Sequence, residues 1–213
     1  MNLHTIKQVT AFYAYLLVVW GFYRLLFQIP EPFDELLVKP LIWLVPLYVL
    51  LKKEGRGWDS VGISTKNILP AVYLSLLLGI IFTIEAVFIN ILKYRGLNFS
   101  SNIRLSMFIG AVVISFVTAL SEELVFRGYI FNRLWETTGN ALKSNLVISI
   151  GWSLLHLPIA LFDWRLQVSS LVIYIVLTFI FSFGASFLFA RTKNIAAPII
   201  LHVLWAWPVI LFR

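Results

Sequence analysis

Long apolar runs separated by short polar stretches organise this chain. A membrane-crossing helix needs about 20 mostly apolar residues, and such runs recur from end to end. They predict seven spans: Gln8–Phe27, Leu36–Leu51, Ile68–Leu92, Leu105–Leu120 with a continuation, Leu146–Phe162, Ser169–Ala190 and Ile195–Phe212. The second is short and holds Pro40 and Pro46, which predicts a kink or a tilt. The seventh carries Pro198 and Pro208. An eighth helix results if Glu122–Leu134 separates from span four at Gly128. Connections are short, and only Lys52–Asn67 (KKEGRGWDSVGISTKN) reads as a solvated loop of some size. There is no evident internal repeat. The expected fold is an all-α polytopic transmembrane helix bundle, a single integral domain over 1–213 with its motif-bearing core at about 104–210.

Composition agrees. Of 213 residues, 60% are hydrophobic and only 13% charged, and the mean hydropathy is +0.90. These values belong to integral membrane proteins. Cysteine is absent, which excludes disulfides and thiolate metal sites. The net charge of +7 points to anionic headgroups, not to nucleic acid, because Lys and Arg concentrate in cytoplasmic loops. A cytoplasmic N-terminus is expected. It places Lys52, Lys53, Arg56, Lys66, Arg127 and Arg133 inside, and Lys39 and Arg104 on the opposite face. No cleaved signal peptide is expected, since the first apolar run is long enough to span.

Against this background a few ionisable groups stand inside apolar segments: Glu122, Glu123 and Arg127, then His156, then His202. Each costs at least about 2.5–3.5 kcal/mol at bilayer depth, so each asks for a partner or a function. On a helix Glu123 and Arg127 are one turn apart and can pair. Glu122 is turned about 100° away and can face a cavity as a general base on water. At 1.5 Å per residue the three groups fall within about 10 Å of one depth, toward the face taken as cytoplasmic. Bland readings stay open: a helix end whose Glu and Arg snorkel, or a neutral histidine bonded to a neighbouring helix. Glu85 reads as a structural partner for a Lys, Arg or Asn on an adjacent helix, and Trp205 and Trp207 as packing.

The strings together resemble the CPBP family, the CAAX proteases and bacteriocin-processing enzymes also called Abi proteins. The family pattern is E-E-x-x-x-R, then F-x-x-x-H, then H-x-x-x-N or D, on successive membrane helices. Here Glu122, Glu123 and Arg127 keep the first intact. Trp152 to His156 gives the second with Trp for Phe. His202 opens the third, but Ala206 stands where Asn or Asp is usual. The resemblance covers roughly Phe108–Trp207. It implies an intramembrane endopeptidase that hydrolyses a peptide bond in a cavity open to the cytosolic side. Glu122 would activate water, His156 would hold it, and His202 would stabilise the oxyanion. Glu123 and Arg127 would order the first helix. No cofactor is expected; if a metal takes part, Glu122, His156 and His202 would hold Zn²⁺. The partner would be a peptide or protein tail, with membrane lipid around the enzyme. Two alternatives remain: a catalytically weak or inactive Abi-type scaffold or immunity protein, favoured by Ala206, and a small transporter with a Glu85–Glu122–His156 proton relay.

Overall fold

The computed structural model describes residues 3–27, 29–96 and 105–211, with side chains omitted at 24, 93, 94, 105–108 and 206–211. Arg104 lies outside the described residues, as does the side chain of Ala206. Among the described residues every regular element is helical. Seven helices follow one another: α1 (Leu3–Leu26), α2 (31–54), α3 (Ile68–Tyr94), α4 (105–138), α5 (Ala141–Asp163), α6 (Val168–Thr192) and α7 (Ala196–Leu211). Four stretches are long and apolar enough to cross a membrane: Ile68–Leu92, Ile109–Thr138, Ala141–Asp163 and Val168–Thr192. Ala196–Trp205 is apolar but shorter. α1 has the length of a span, yet His4, Lys7, Gln8, Tyr13 and Tyr15 lower its hydropathy.

α4 is the central post. Every residue from Ser121 to Arg133 is buried, which is the signature of a helix enclosed by others on all sides. Aromatic rings tie the neighbours to it. Trp43 of α2 lies 5.7 Å from Phe126, Phe126 meets Trp152 of α5 edge-on at 4.8 Å, and Trp152 lies 6.1 Å from Phe181 of α6. α1 is fixed by Tyr13, whose hydroxyl donates to the Gly151 carbonyl at 2.9 Å. By contrast, α3 presents Leu69, Leu77, Ile84 and Leu92 outward, all more than half exposed. That face suits lipid.

The helix does not break at Gly128. It widens into a π-helical stretch, Leu124–Phe131, and continues as an α-helix to Thr138. The glycine serves a close approach instead. A Cβ there would stand 2.7 Å from the Val61 carbonyl oxygen. Val61 belongs to a 3₁₀ turn, Trp58–Val61, inside the stretch expected to be a solvated loop. The loop is polar at its rim, but Val61 is fully buried and plugs the end of the bundle. Gly62 completes the fit with φ +88°, and its carbonyl accepts from Ile195 N at 2.9 Å. Asn194 donates to the carbonyls of Ser64 and Lys66 at 2.7 Å each.

Three cations expected at the faces lie inside. Arg127 is fully buried. Arg133 is buried against Glu54, with Nε 2.9 Å from Oε2, and the same carboxylate accepts from the Tyr129 hydroxyl at 2.7 Å. Lys39 is 4% exposed. Each found an acid inside the bundle, so none needed to reach a headgroup, and none reports orientation. The depth expected for the site shifts accordingly. α4 runs eleven residues past Arg127, which puts Glu122 about 25 Å from either end of its helix, near the middle.

Candidate active site

Three π-helical stretches shape the site. In α2 the π turn Asp34–Val38 ends two residues before Pro40. Proline has no amide hydrogen and its ring crowds the carbonyl four residues back; a widened turn relieves both. The extra residue per turn re-phases the helix, and Glu35 and Lys39 face the core. In α4 the π stretch begins directly after Glu123. In α5 the α-helix ends at His156, two residues before Pro158, and resumes as a further π turn, Ile159–Asp163.

The adjacent glutamates divide as the helical geometry predicts. Glu123, with no exposed surface, pairs with Arg127 Nη1 at 2.9 Å. The guanidinium also lies over the faces of Trp152 (4.4 Å) and Phe181 (5.5 Å). Glu122 points elsewhere, and its Oε1 accepts from Lys39 Nζ at 2.7 Å. Lys39 in turn pairs with Glu35 and sits over the Trp20 ring. Glu35 Oε2 also accepts from the Thr118 hydroxyl at 2.7 Å.

His202 Nδ1 lies 2.7 Å from Glu123 Oε1, not on Glu122. The antiparallel register of α4 and α7 puts it there. Lys193, in the turn just before α7, meets Asn132 Oδ1 at 3.3 Å through Nζ, and nine residues separate that contact from the His202–Glu123 contact along either segment. A carboxylate accepts, so Nδ1 carries the hydrogen and Nε2 is left for another partner. His156 is built alike. Its Nδ1 lies 2.8 Å from the Trp152 carbonyl oxygen, an acceptor only, and its Nε2 remains. Trp152 stands between the two imidazoles, 4.9 Å from His156 and 5.8 Å from His202 between ring centroids. Glu122 lies within electrostatic reach of Lys39, His202 and His156.

The structure therefore gathers Glu122, Glu123, Arg127, His156 and His202 around one Trp152. It departs from the sequence reading in three respects. His202 leans on Glu123. Lys39, Glu35 and Thr118 join the site although no motif contains them. Glu85 stays apart, with no hydrogen bond or ion pair among the described residues, so neither its expected structural partner nor a relay through it is seen. The signal for Lys39 was legible: Glu35 and Lys39 are one turn apart in an apolar helix, a pair that lipid does not tolerate without a third partner. Among the described residues, no group of three His, Asp or Glu side chains is placed to hold a metal ion. Of the donors considered for Zn²⁺, Glu122 Oε1 is taken by Lys39, and the two imidazoles are held through Nδ1 by Glu123 and by the Trp152 carbonyl.

Comparison with known proteins gives one result. Residues 104–208 match the family model described as type II CAAX prenyl endopeptidase, Rce1-like. No curated protein and no solved structure matches the chain.

Proposed function

Because the chain belongs, through residues 104–208, to the Rce1-like type II CAAX prenyl endopeptidase family, we propose that it cleaves a peptide or protein tail at the buried Glu122–His156–His202 site. The observation that supports this reading most directly is convergence. Helices α2, α4, α5 and α7, far apart in sequence, bring charged and titratable groups to one point midway along a buried helix. Charges cost too much at that depth to collect without use.

In the proposed reaction a water molecule sits between Glu122 and the Nε2 of His156. Glu122 Oε2 takes a proton from it. The water oxygen forms a bond to the scissile carbonyl carbon, and the carbonyl π pair moves onto its oxygen. His202 as imidazolium, its Nδ1–H held by Glu123, points Nε2–H at that oxyanion; oriented donors of this kind are worth about 10²–10³ in kcat each. Collapse breaks the C–N bond, and the proton on Glu122 passes to the leaving amine. Ala206 leaves the usual second donor position without a polar group, so a low turnover is expected. All seven helices cross the membrane in this reading, with the N-terminus cytoplasmic and the site open to the cytosolic side.

The test is cleavage of a fluorogenic peptide with a prenylated Cys in its C-terminal tetrapeptide, alongside its unprenylated counterpart, by purified protein in nanodiscs. Glu122→Gln, His156→Ala and His202→Ala each abolish cleavage while helicity and unfolding midpoint stay near wild type. Full proteolysis by any one of them refutes the assignment. Ala206 favours a second reading, a non-catalytic membrane scaffold. In that case a cellular phenotype survives Glu122→Gln.

A further inference from the structure

The family match begins at residue 104, yet the shortest polar contact of Glu122 comes from the other half of the chain. Four side chains make three successive contacts across α2 and α4, a ring that closes only through the turn of α4 between Thr118 and Glu122. Thr118 and Glu122 are one turn apart on α4, and Glu35 and Lys39 are one turn apart on α2. Glu35 Oε2 accepts from Thr118 at 2.7 Å and from Lys39 Nζ, and Lys39 Nζ donates to Glu122 Oε1 at 2.7 Å. Lys39 and Glu122 are 4% and 6% exposed. The π turn Asp34–Val38 turns both Glu35 and Lys39 inward.

This ring settles two matters that a general base needs settled. The first is charge. A carboxylate buried without a cation takes up a proton, because the charged form is the one that loses hydration. The Lys39 ammonium supplies the cation in direct contact, while the hydrogen-bonding Nη1 of Arg127 is taken by Glu123. The second is direction. Oε1 is taken by Nζ, which fixes the carboxylate plane and leaves Oε2 to meet water. A lysine alone would be too mobile for this. Glu35, itself accepting from Thr118, pins it, and the Trp20 ring lies 5.2 Å away as a wall.

We propose that Lys39, held by Glu35, is the positioning residue of this site, keeping Glu122 ionised with Oε2 free toward the reacting water. The proposal rests on Glu122 being the base of the hydrolytic site, and it makes α2 a working part of the enzyme outside the family-matched segment.

The experiment uses the full chain in nanodiscs, as wild type, Lys39→Met, Lys39→Arg and Glu35→Gln. Two readouts are taken: cleavage of the prenylated fluorogenic peptide, and the infrared spectrum of Glu122, obtained by subtracting the matching Glu122→Gln spectrum. With wild type the subtraction shows carboxylate bands at neutral pH. With Lys39→Met a protonated carboxyl band replaces them, and kcat falls roughly 100-fold, the usual contribution of a general base, while KM changes little. Lys39→Arg restores the carboxylate bands and part of kcat. Glu35→Gln lies between. A folded Lys39→Met protein whose Glu122 still shows carboxylate bands overturns the proposal, as does wild-type kcat in that variant. If wild type cleaves no peptide, the hydrolytic reading fails on its own, and the infrared comparison still decides whether Lys39 sets the charge of Glu122.

Discussion

Glu123 and Arg127 form a fully buried pair, and the two halves of that pair are not equivalent. Glu123→Gln leaves a guanidinium with no exposed surface and no carboxylate. Arginine cannot shed its proton, so the cost is that of an uncompensated buried charge, about 3–5 kcal/mol. Arg127→Met is different. It forfeits the attraction to the Trp152 and Phe181 faces, about 2 kcal/mol when desolvated. It also deletes Nε and Nη2, two buried donors that have no partner, and each such orphan costs about 1–3 kcal/mol. At the lower end of that range the two orphans offset the lost cation–π attraction. The carboxylate left behind keeps its hydrogen bond with His202 at 2.7 Å. The net cost of Arg127→Met is then about 1–2 kcal/mol. The double variant removes both charges and is expected to be more stable than Glu123→Gln alone. The assay is equilibrium unfolding in mixed micelles by SDS titration, followed by far-ultraviolet circular dichroism. Equal destabilisation by the two single variants, or a double variant no better than Glu123→Gln, refutes the argument.

Three further outcomes are expected. Gly128→Val drives a Cβ onto the Val61 carbonyl at 2.7 Å and unseats the Trp58–Val61 turn, costing about 1–3 kcal/mol in the same SDS titration. Asn194→Ala removes the bonds to Ser64 and Lys66, and limited trypsin digestion at Lys66, read by mass spectrometry, is expected to accelerate while the helices persist. Trp152→Ala costs about 3–5 kcal/mol, whereas Trp152→Phe costs about 1 kcal/mol, because the indole Nε1 it gives up has no partner; a thermal melt of both variants checks the ratio.

The all-helical class and the Glu123–Arg127 pair were legible because both follow from local pattern: long apolar runs, and one turn between the paired charges. The two histidines could be singled out by rarity alone, since the chain has only three. What stayed hidden depends on long-range register and on helix phase. The antiparallel offset of α4 against α7 decides that His202 meets Glu123 and not Glu122, and no local pattern encodes it. The π turn before Pro40 shifts the phase of α2, and without it Lys39 reads as a headgroup anchor. Gly128 left an eighth helix open, because a glycine within a helix weakens it. Its reason is a backbone that approaches from sixty-seven residues earlier.

The charges named in the site also bear on the chemistry. Glu35, Glu122 and Glu123 stand against Lys39 and Arg127, three acids to two cations, with two imidazoles adjoining. A cluster in low dielectric is most favourable near neutrality, so this one has room for a single additional proton. In the proposed hydrolysis no net charge has to be created at this depth: as Glu122 takes a proton from water, the negative charge it gives up reappears on the substrate oxygen facing His202, so charge moves within the cluster while Lys39 and Arg127 stay in place.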